Sequence, residues 1–103
     1  AKRKADDLVS MIETWLANDI SNNDRFGGDL DAALAAITAR TRMISSRTDL
    51  YFTTHDMRAN AAGMPNAEFF ELDSIWGHRA GNPEGNPEDT AALRTHVEAL
   101  LAD

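Results

Sequence analysis

The chain has 103 residues, of which 43% are hydrophobic and 26% charged, a composition typical of a single globular domain. Its formal net charge of −7 argues against nucleic acid or an anionic membrane as a partner, because both bind positively charged protein surfaces. The sequence contains no cysteine, which excludes disulfide bonds, thiolate metal sites and cysteine nucleophiles and is compatible with the expected cytoplasmic location.

The first third of the chain predicts an amphipathic helix, a loop and a short second helix. Between Asp6 and Asn18 the apolar residues recur every three or four positions, which is the period of one helix face. Segment 19–28 is rich in asparagine and glycine, which favour turns, and predicts a loop. Asp29 then offers its carboxylate as a cap for a helix that ends near Thr38. No apolar run in the chain approaches the roughly 20 residues needed to span a bilayer.

The remaining segments predict two strands and two further helices. Short apolar runs at 42–44 and 68–72 predict the strands. Between them, Thr53 and Asp56 have the spacing of a capping box and start one helix, while Asn86, followed by proline, starts the last. The strand, helix, strand order implies a parallel pair joined by a right-handed crossover. Two parallel strands form a poor sheet by themselves, so we expect neighbouring strands outside this chain.

A carboxylate and an imidazole follow the two predicted strands. Asp49 lies in the polar segment after the first strand, and His78 follows Gly77 in the segment after the second. In serine-dependent catalysis an imidazole takes the hydroxyl proton and a carboxylate fixes the imidazole tautomer. The serines of this chain lack the flanking glycines of a Gly-x-Ser-x-Gly nucleophile turn. The chain is therefore predicted to carry two of three catalytic groups; a turn-forming aspartate and a surface histidine are the alternatives.

Four segments of the chain, 29–41, 48–52, 64–67 and 74–78, carry a family resemblance. They resemble the carboxy-terminal third of an α/β-hydrolase, and most closely its homoserine O-acetyltransferase-like branch. The resemblance covers nearly the whole chain and implies the α/β fold class, as a carboxy-terminal fragment of an α/β-hydrolase fold. That fragment has two parallel strands with flanking helices and the last lid helix at its amino end. Residues 1–28 are accordingly assigned to the end of the helical lid and its connecting loop, and 29–103 to the core.

The same resemblance implies acyl ester hydrolysis or O-acyl transfer, with Asp49 as the triad acid and His78 as the base. In these roles the two side chains are predicted to lie within hydrogen-bond reach of each other, because the acid orients the base. The implied substrate is a small-molecule acyl ester or acyl-CoA, and no cofactor is implied. The expected partner is a missing amino-terminal part of the same enzyme, which carries the nucleophile, so the isolated chain is predicted to be inactive. Assembly as a homo-oligomer is left open. Where this family has an acidic residue after the histidine, the chain has Arg79.

Other side chains near the two loops are candidates for substrate binding. Trp76 and the pair Tyr51-Phe52 are aromatic candidates, for which simple packing is the alternative. Arg79 is a candidate for which a surface role is the alternative. The histidines lack the spacing of metal ligands, so no metal site is predicted, and His55 and His96 are expected to be solvated. The alternative to an enzyme fragment is a small noncatalytic α/β domain that binds a protein partner through its exposed edge.

Overall fold

The computed structural model describes residues 4–82 and 84–102. Its helices and strands follow one another in the order predicted from the sequence. The chain divides into two compact units, the first ending at Ala33 and the second beginning at Leu34. The elements are α1 (Ala5–Ala17), α2 (Leu30–Ala35), β1 (Thr41–Ser46), α3 (Thr54–Ala62), β2 (Ala67–Leu72), one 3₁₀ turn (Gly77–Arg79) and α4 (Pro87–Leu101).

The first unit consists of α1, a loop and the start of α2. Within the loop, Asp19 Oδ1 accepts hydrogen bonds from the amide of Ser21 at 2.8 Å and from its hydroxyl at 2.6 Å. Asp29 Oδ1 accepts from the amide of Ala32 at 2.9 Å, which is the cap predicted for the second helix. The predicted loop and cap are therefore confirmed, although α2 is shorter than predicted and ends at Ala35.

The second unit is built on a parallel sheet of β1 and β2. The register runs from Thr41 opposite Ala67 to Ser46 opposite Leu72. α3 connects the two strands, as a parallel pair requires a crossover rather than a hairpin. Because both strands run in the same direction, the segments that follow them leave the sheet at the same end, where the strands have their carboxyl termini.

α3 and α4 cover opposite faces of this sheet. In α3, the guanidinium of Arg58 lies 4.4 Å from the ring centre of Phe69. In α4, the ring of His96 lies 4.4 Å from that of Phe70, the next residue of β2, whose side chain points to the other face. The expectation that His96 is solvated is therefore wrong, since it is half-buried against β2, whereas His55 is exposed. Helical periodicity alone did not reveal which side of α4 meets the sheet.

The two helices that flank the sheet begin at the predicted caps. Thr53 Oγ1 accepts a hydrogen bond from the amide of Asp56 at 3.2 Å at the start of α3. Asn86 Oδ1 accepts from the amide of Asp89 at 3.3 Å at the start of α4, and Pro87 takes the first helical position. These caps satisfy amides that have no partner within the helix.

Large apolar side chains are unevenly buried. In the second unit Leu34, Met64 and Leu72 are buried. In contrast, α1 leaves its apolar stripe exposed, with Trp15 50% and Leu16 82% accessible. In the described part of the chain, no helix combines the length and the apolarity needed to cross a bilayer.

We expect the 103-residue chain to associate in solution, because exposed apolar stripes and unpaired strand edges favour contact with other surfaces. Replacing Met11 and Trp15, on the exposed stripe of α1, by glutamine should shift its size-exclusion elution towards the monomer. Glu13→Gln, which lies off the stripe, is the matched control and should leave the elution unchanged. A compact monomer at every concentration of the unaltered chain would contradict this expectation.

Candidate active site

The loop after β1 holds its carboxylate with its own backbone. Asp49 Oδ1 accepts hydrogen bonds from the amides of Tyr51 at 2.8 Å and Phe52 at 3.1 Å. Aspartate favours such turns because its short side chain reaches amides two and three residues ahead. The Asp49 side chain is only 9% exposed. One carboxylate oxygen is therefore fixed locally, within the loop itself.

His78 pairs with the other oxygen of this carboxylate. It lies in the 3₁₀ turn after β2, and its Nδ1 is 3.2 Å from Asp49 Oδ2. The rings of Tyr51 and Phe52 flank the imidazole, with centroids 4.9 Å and 5.4 Å away. The imidazole is 50% exposed. The predicted proximity of Asp49 and His78 is confirmed, and their catalytic roles stay predictions.

One hydroxyl connects the two loops. Thr48, directly before Asp49, donates from Oγ1 to the carbonyl of Ser74 at 2.8 Å and accepts from the amide of Gly77 at 3.0 Å. Gly77 directly precedes His78 and has φ +56°, where a Cβ would lie 3.2 Å from the carbonyl oxygen of Thr48. Glycine fits this position because it alone adopts such a φ without strain. The sequence pattern did not single out Thr48, since a threonine in a polar loop carries no distinctive signal.

Opposing effects set the pKa of Asp49. Burial raises the pKa of this carboxyl group, because its surroundings disfavour the charged form. The amide hydrogen bonds from Tyr51 and Phe52 lower the pKa, and the hydrogen bond and charge of His78 lower it further. The resulting pKa of Asp49 lies below the ordinary value. The carboxylate is thus ionised at neutral pH, which is the form that orients an imidazole.

A cavity of about 330 Å³ adjoins the pair. Asp49 and His78 both line it, next to a largely apolar wall. A mostly apolar pocket with a few polar groups is typical of small-molecule sites. The apolar side chains of its lining include Ile44, Phe52, Met57, Leu72 and Leu93.

The substrate-binding candidates Tyr51, Trp76 and Arg79 lie around the pair rather than in the cavity wall. Tyr51 packs against the ring of His78, while Trp76 is 46% exposed and Arg79 lies in the 3₁₀ turn. Phe52, a candidate together with its neighbour Tyr51, does line the cavity. Adjacent loop residues follow no fixed period, so the sequence did not distinguish Phe52 from Tyr51. Within residues 4–82 and 84–102, no group of three histidine, aspartate or glutamate side chains is placed to hold a metal ion.

The known proteins that this chain is similar to include ester hydrolases and acyl-transfer enzymes. A scan against protein-family models finds no match. The chain is similar to an ethyl acetate hydrolase of Pseudomonas veronii, being 38% identical over 71 residues, which are 69% of this chain and 20% of that protein. It is also similar to a homoserine O-acetyltransferase of Deinococcus radiodurans, being 36% identical over 64 residues, which are 60% of this chain and 19% of that protein. The chain therefore spans about a fifth of the length of these curated relatives.

A solved structure of the acetyl esterase MekB matches the fold. The match has a TM-score of 0.84 at 32% sequence identity, and it covers 98% of this chain and 28% of that one. The predicted fold class is confirmed, because the chain forms part of an α/β-hydrolase fold with two parallel strands and flanking helices. The relatives include both ester hydrolases and homoserine O-acetyltransferases, so the assignment to the latter branch stays a prediction. The division into a lid segment, 1–28, and a core segment, 29–103, also stays a prediction.

Acidification should destabilise the second unit through Asp49. A carboxyl group with a lowered pKa in the folded state stabilises that state fully above the pKa of an unfolded aspartate, about 3.9. This stabilisation is lost as the pH falls through the lower pKa of the folded state. Asp49→Asn removes the titrating group, so its urea midpoint should decline less than that of the unaltered chain between about pH 5 and about pH 2. Equal declines in the two proteins would contradict the argument.

Gly77→Ala should lower the free energy of unfolding by on the order of 1–2 kcal/mol, because alanine is strained at a left-handed φ. The added methyl would also press on the carbonyl of Thr48. Gly81→Ala is the matched control, since a Cβ at that position meets open space. Urea denaturation measures the free energy of unfolding of both variants. Equal losses in the two would show that the turn at Gly77 is not constrained as described.

Proposed function

We propose that this chain supplies the acid and the base of a serine-dependent enzyme with an α/β-hydrolase fold, which hydrolyses small acyl esters. The proposal is carried by the contact of 3.2 Å between His78 Nδ1 and Asp49 Oδ2. The other carboxylate oxygen, Oδ1, accepts a backbone amide of the Asp49 loop. The similarity to an ethyl acetate hydrolase and to an acetyl esterase supports esters as the substrate class.

In the proposed reaction the nucleophile is a serine on the amino-terminal part of the same enzyme, which is the partner this chain requires. The Nε2 atom of His78 takes the proton of the serine hydroxyl as the serine oxygen bonds to the ester carbonyl carbon. Asp49 accepts a hydrogen bond from Nδ1–H and stabilises the imidazolium. The imidazolium then gives the proton to the departing alcohol oxygen, which leaves an acyl-serine. Water repeats the sequence and releases the carboxylic acid and the free serine.

The cavity beside the pair supports a small, uncharged acyl or alcohol group as its occupant. Its wall is largely apolar and includes Phe52 and Leu72, which favour apolar over charged ligand groups. We assign Trp76, Tyr51 and Arg79 to contacts at the margin of the substrate site, where Arg79 suits a substrate that carries a carboxylate.

Acyl transfer is the second candidate reaction, because the chain is 36% identical over 64 residues to a homoserine O-acetyltransferase. Hydrolysis and transfer share the acyl-serine and the Asp49–His78 pair, and they differ in whether water or an alcohol takes the acyl group. An acyl-CoA is the corresponding donor. Arg79 stands where the resembling family has an acidic residue, so homoserine is not proposed as the acceptor.

Kinetics of the complete enzyme, in which this chain is joined to the nucleophile-bearing part, test the proposal. His78→Ala should abolish cleavage of p-nitrophenyl acetate, because no base remains. Asp49→Asn should lower kcat by on the order of 10⁴-fold with the fold retained, because an asparagine favours the wrong imidazole tautomer. His55→Ala, at an exposed histidine of α3, is the matched control and should keep normal activity.

Near-normal kcat in a folded His78→Ala or Asp49→Asn enzyme would exclude that residue from the mechanism. A fluorophosphonate probe separates the enzyme from the noncatalytic alternative, since it labels an activated serine. The complete enzyme should be labelled and the 103-residue chain alone should not. A complete protein that neither reacts with the probe nor cleaves the ester would favour a binding domain instead.

A further inference from the structure

A buried carboxylate outside the pair lies in the first turn of α4. Asp89 is 7% exposed, and its Oδ2 accepts hydrogen bonds from the hydroxyl of Ser74 and the side-chain amide of Asn86, both at 2.5 Å. These two donors are themselves buried, at 3% and 5% exposure. Burial of a carboxylate is unfavourable unless its hydrogen bonds compensate for lost hydration. Asp89, Ser74 and Asn86 form the Asp89 network.

The helix itself does not require this buried side chain. Asn86 already caps α4 by accepting the amide of Asp89, and Pro87 suits the first helical position. Glu88 supplies an acidic group near the positive end of the helix while remaining exposed. We attribute the burial of Asp89 instead to the bonds that its network makes with the segment that carries His78.

The Asp89 network holds both ends of the segment that carries His78. At the amino end, the hydroxyl of Ser74 donates to Asp89. At the carboxyl end, Asn86 Nδ2 lies 3.4 Å from the carbonyl oxygen of Ala80, to which it donates. His78 lies between these two anchors, so the first turn of α4 fixes the backbone on either side of the imidazole.

Ser74 also connects the network to the loop of the acid. Its carbonyl oxygen accepts hydrogen bonds from the hydroxyls of Thr48 at 2.8 Å and Ser46 at 3.3 Å. Thr48 is the residue before Asp49. Ser74 is therefore bonded to α4 through its side chain and to the acid loop through its backbone, and a shift of Ser74 changes the separation of Asp49 and His78.

We propose that Asp89 is a positioning residue that, through Ser74 and Asn86, sets the contact between His78 Nδ1 and Asp49 Oδ2. The catalytic consequence rests on the proposed function, whereas the geometric effect does not. A displacement of about 1 Å in a catalytic group can lower turnover on the order of 10²-fold. The loss should fall on kcat rather than KM, because Asp89 does not line the cavity.

The geometric effect is measured on the chain with ¹⁵N-labelled histidine. In the unaltered chain, neutral His78 should carry its proton on Nδ1, where Asp49 accepts it. In Asp89→Ala the population should move towards the Nε2–H tautomer, and exchange of the Gly77 amide, which donates to Thr48, should accelerate by on the order of tenfold. Asp89→Asn keeps an oxygen that can accept from Ser74 and Asn86. It should therefore restore the Nδ1–H tautomer of His78 and the slow exchange of the Gly77 amide.

Matched controls separate positioning from helix stability. Glu88→Ala and Glu88→Gln remove the same charge from the same turn of α4 and should leave the His78 tautomer unchanged. Ser74→Ala deletes the hydroxyl that donates to Asp89, and with it the acceptor of the Trp76 amide. It should reproduce the effect of Asp89→Ala, which keeps the test valid if Asp89→Ala does not fold. An unchanged tautomer in folded Asp89→Ala or Ser74→Ala would overturn the proposal.

The catalytic consequence is measured in the complete enzyme. Asp89→Ala should lower kcat on the order of 10²-fold with little change in KM, Asp89→Asn should recover most of kcat, and the Glu88 variants should keep it. A normal kcat in Asp89→Ala, with His78→Ala inactive, would overturn the catalytic part of the proposal. Full activity of His78→Ala would instead refute the proposed function, and the tautomer measurement would still decide the positioning role.

Discussion

Parallel pairing of β1 with β2 fixes where the two functional loops begin. The last pair joins Ser46 to Leu72, so both strands end at the same edge of the sheet. Asp49 and His78 follow within short loops and meet at 3.2 Å. A register shift of two residues would move one loop along the sheet by about 6–7 Å, more than the contact tolerates. The α3 and α4 contacts on opposite faces hold this register in place and thereby hold the pair.

Acid and base are held in different ways, and the difference suits their proposed roles. The carboxylate of Asp49 is largely buried, is bonded to amides of its own loop, and has a lowered pKa. It is thus a fixed negative charge. His78 is half-exposed and lies beside an apolar cavity, where a base must reach a substrate and a nucleophile. Since the chain spans about a fifth of its curated relatives, the nucleophile of the proposed enzyme is sought in the remaining part.

Local signals made much of the fold and the central pair predictable from the sequence. Thr53 and Asn86 mark helix starts through side chains that reach nearby amides, and the structure has both caps. The proximity of Asp49 and His78 was predicted from their positions after the two strands and from the triad roles that the family resemblance implies. Contacts that join distant parts of the chain were not predictable. The face of α4 that carries His96, the bridging hydroxyl of Thr48 and the burial of Asp89 depend on how elements pack, which hydrophobic periodicity does not encode.

Asp49 and His78 are fixed at different stages of folding, because the hydrogen bonds that hold them span different lengths of chain. The bonds that hold Asp49 Oδ1 span only two and three residues, so this turn closes with little loss of chain entropy. The bonds around the His78 segment span 15 residues from Ser74 to Asp89 and 29 from Thr48 to Gly77. The first forms only once α4 has packed on the sheet, and the second only once the two strands have paired. Partial opening of α4 therefore breaks the bond between Ser74 and Asp89 while the acid turn persists. The proposed positioning of His78 would then be lost at a smaller free-energy cost than global unfolding.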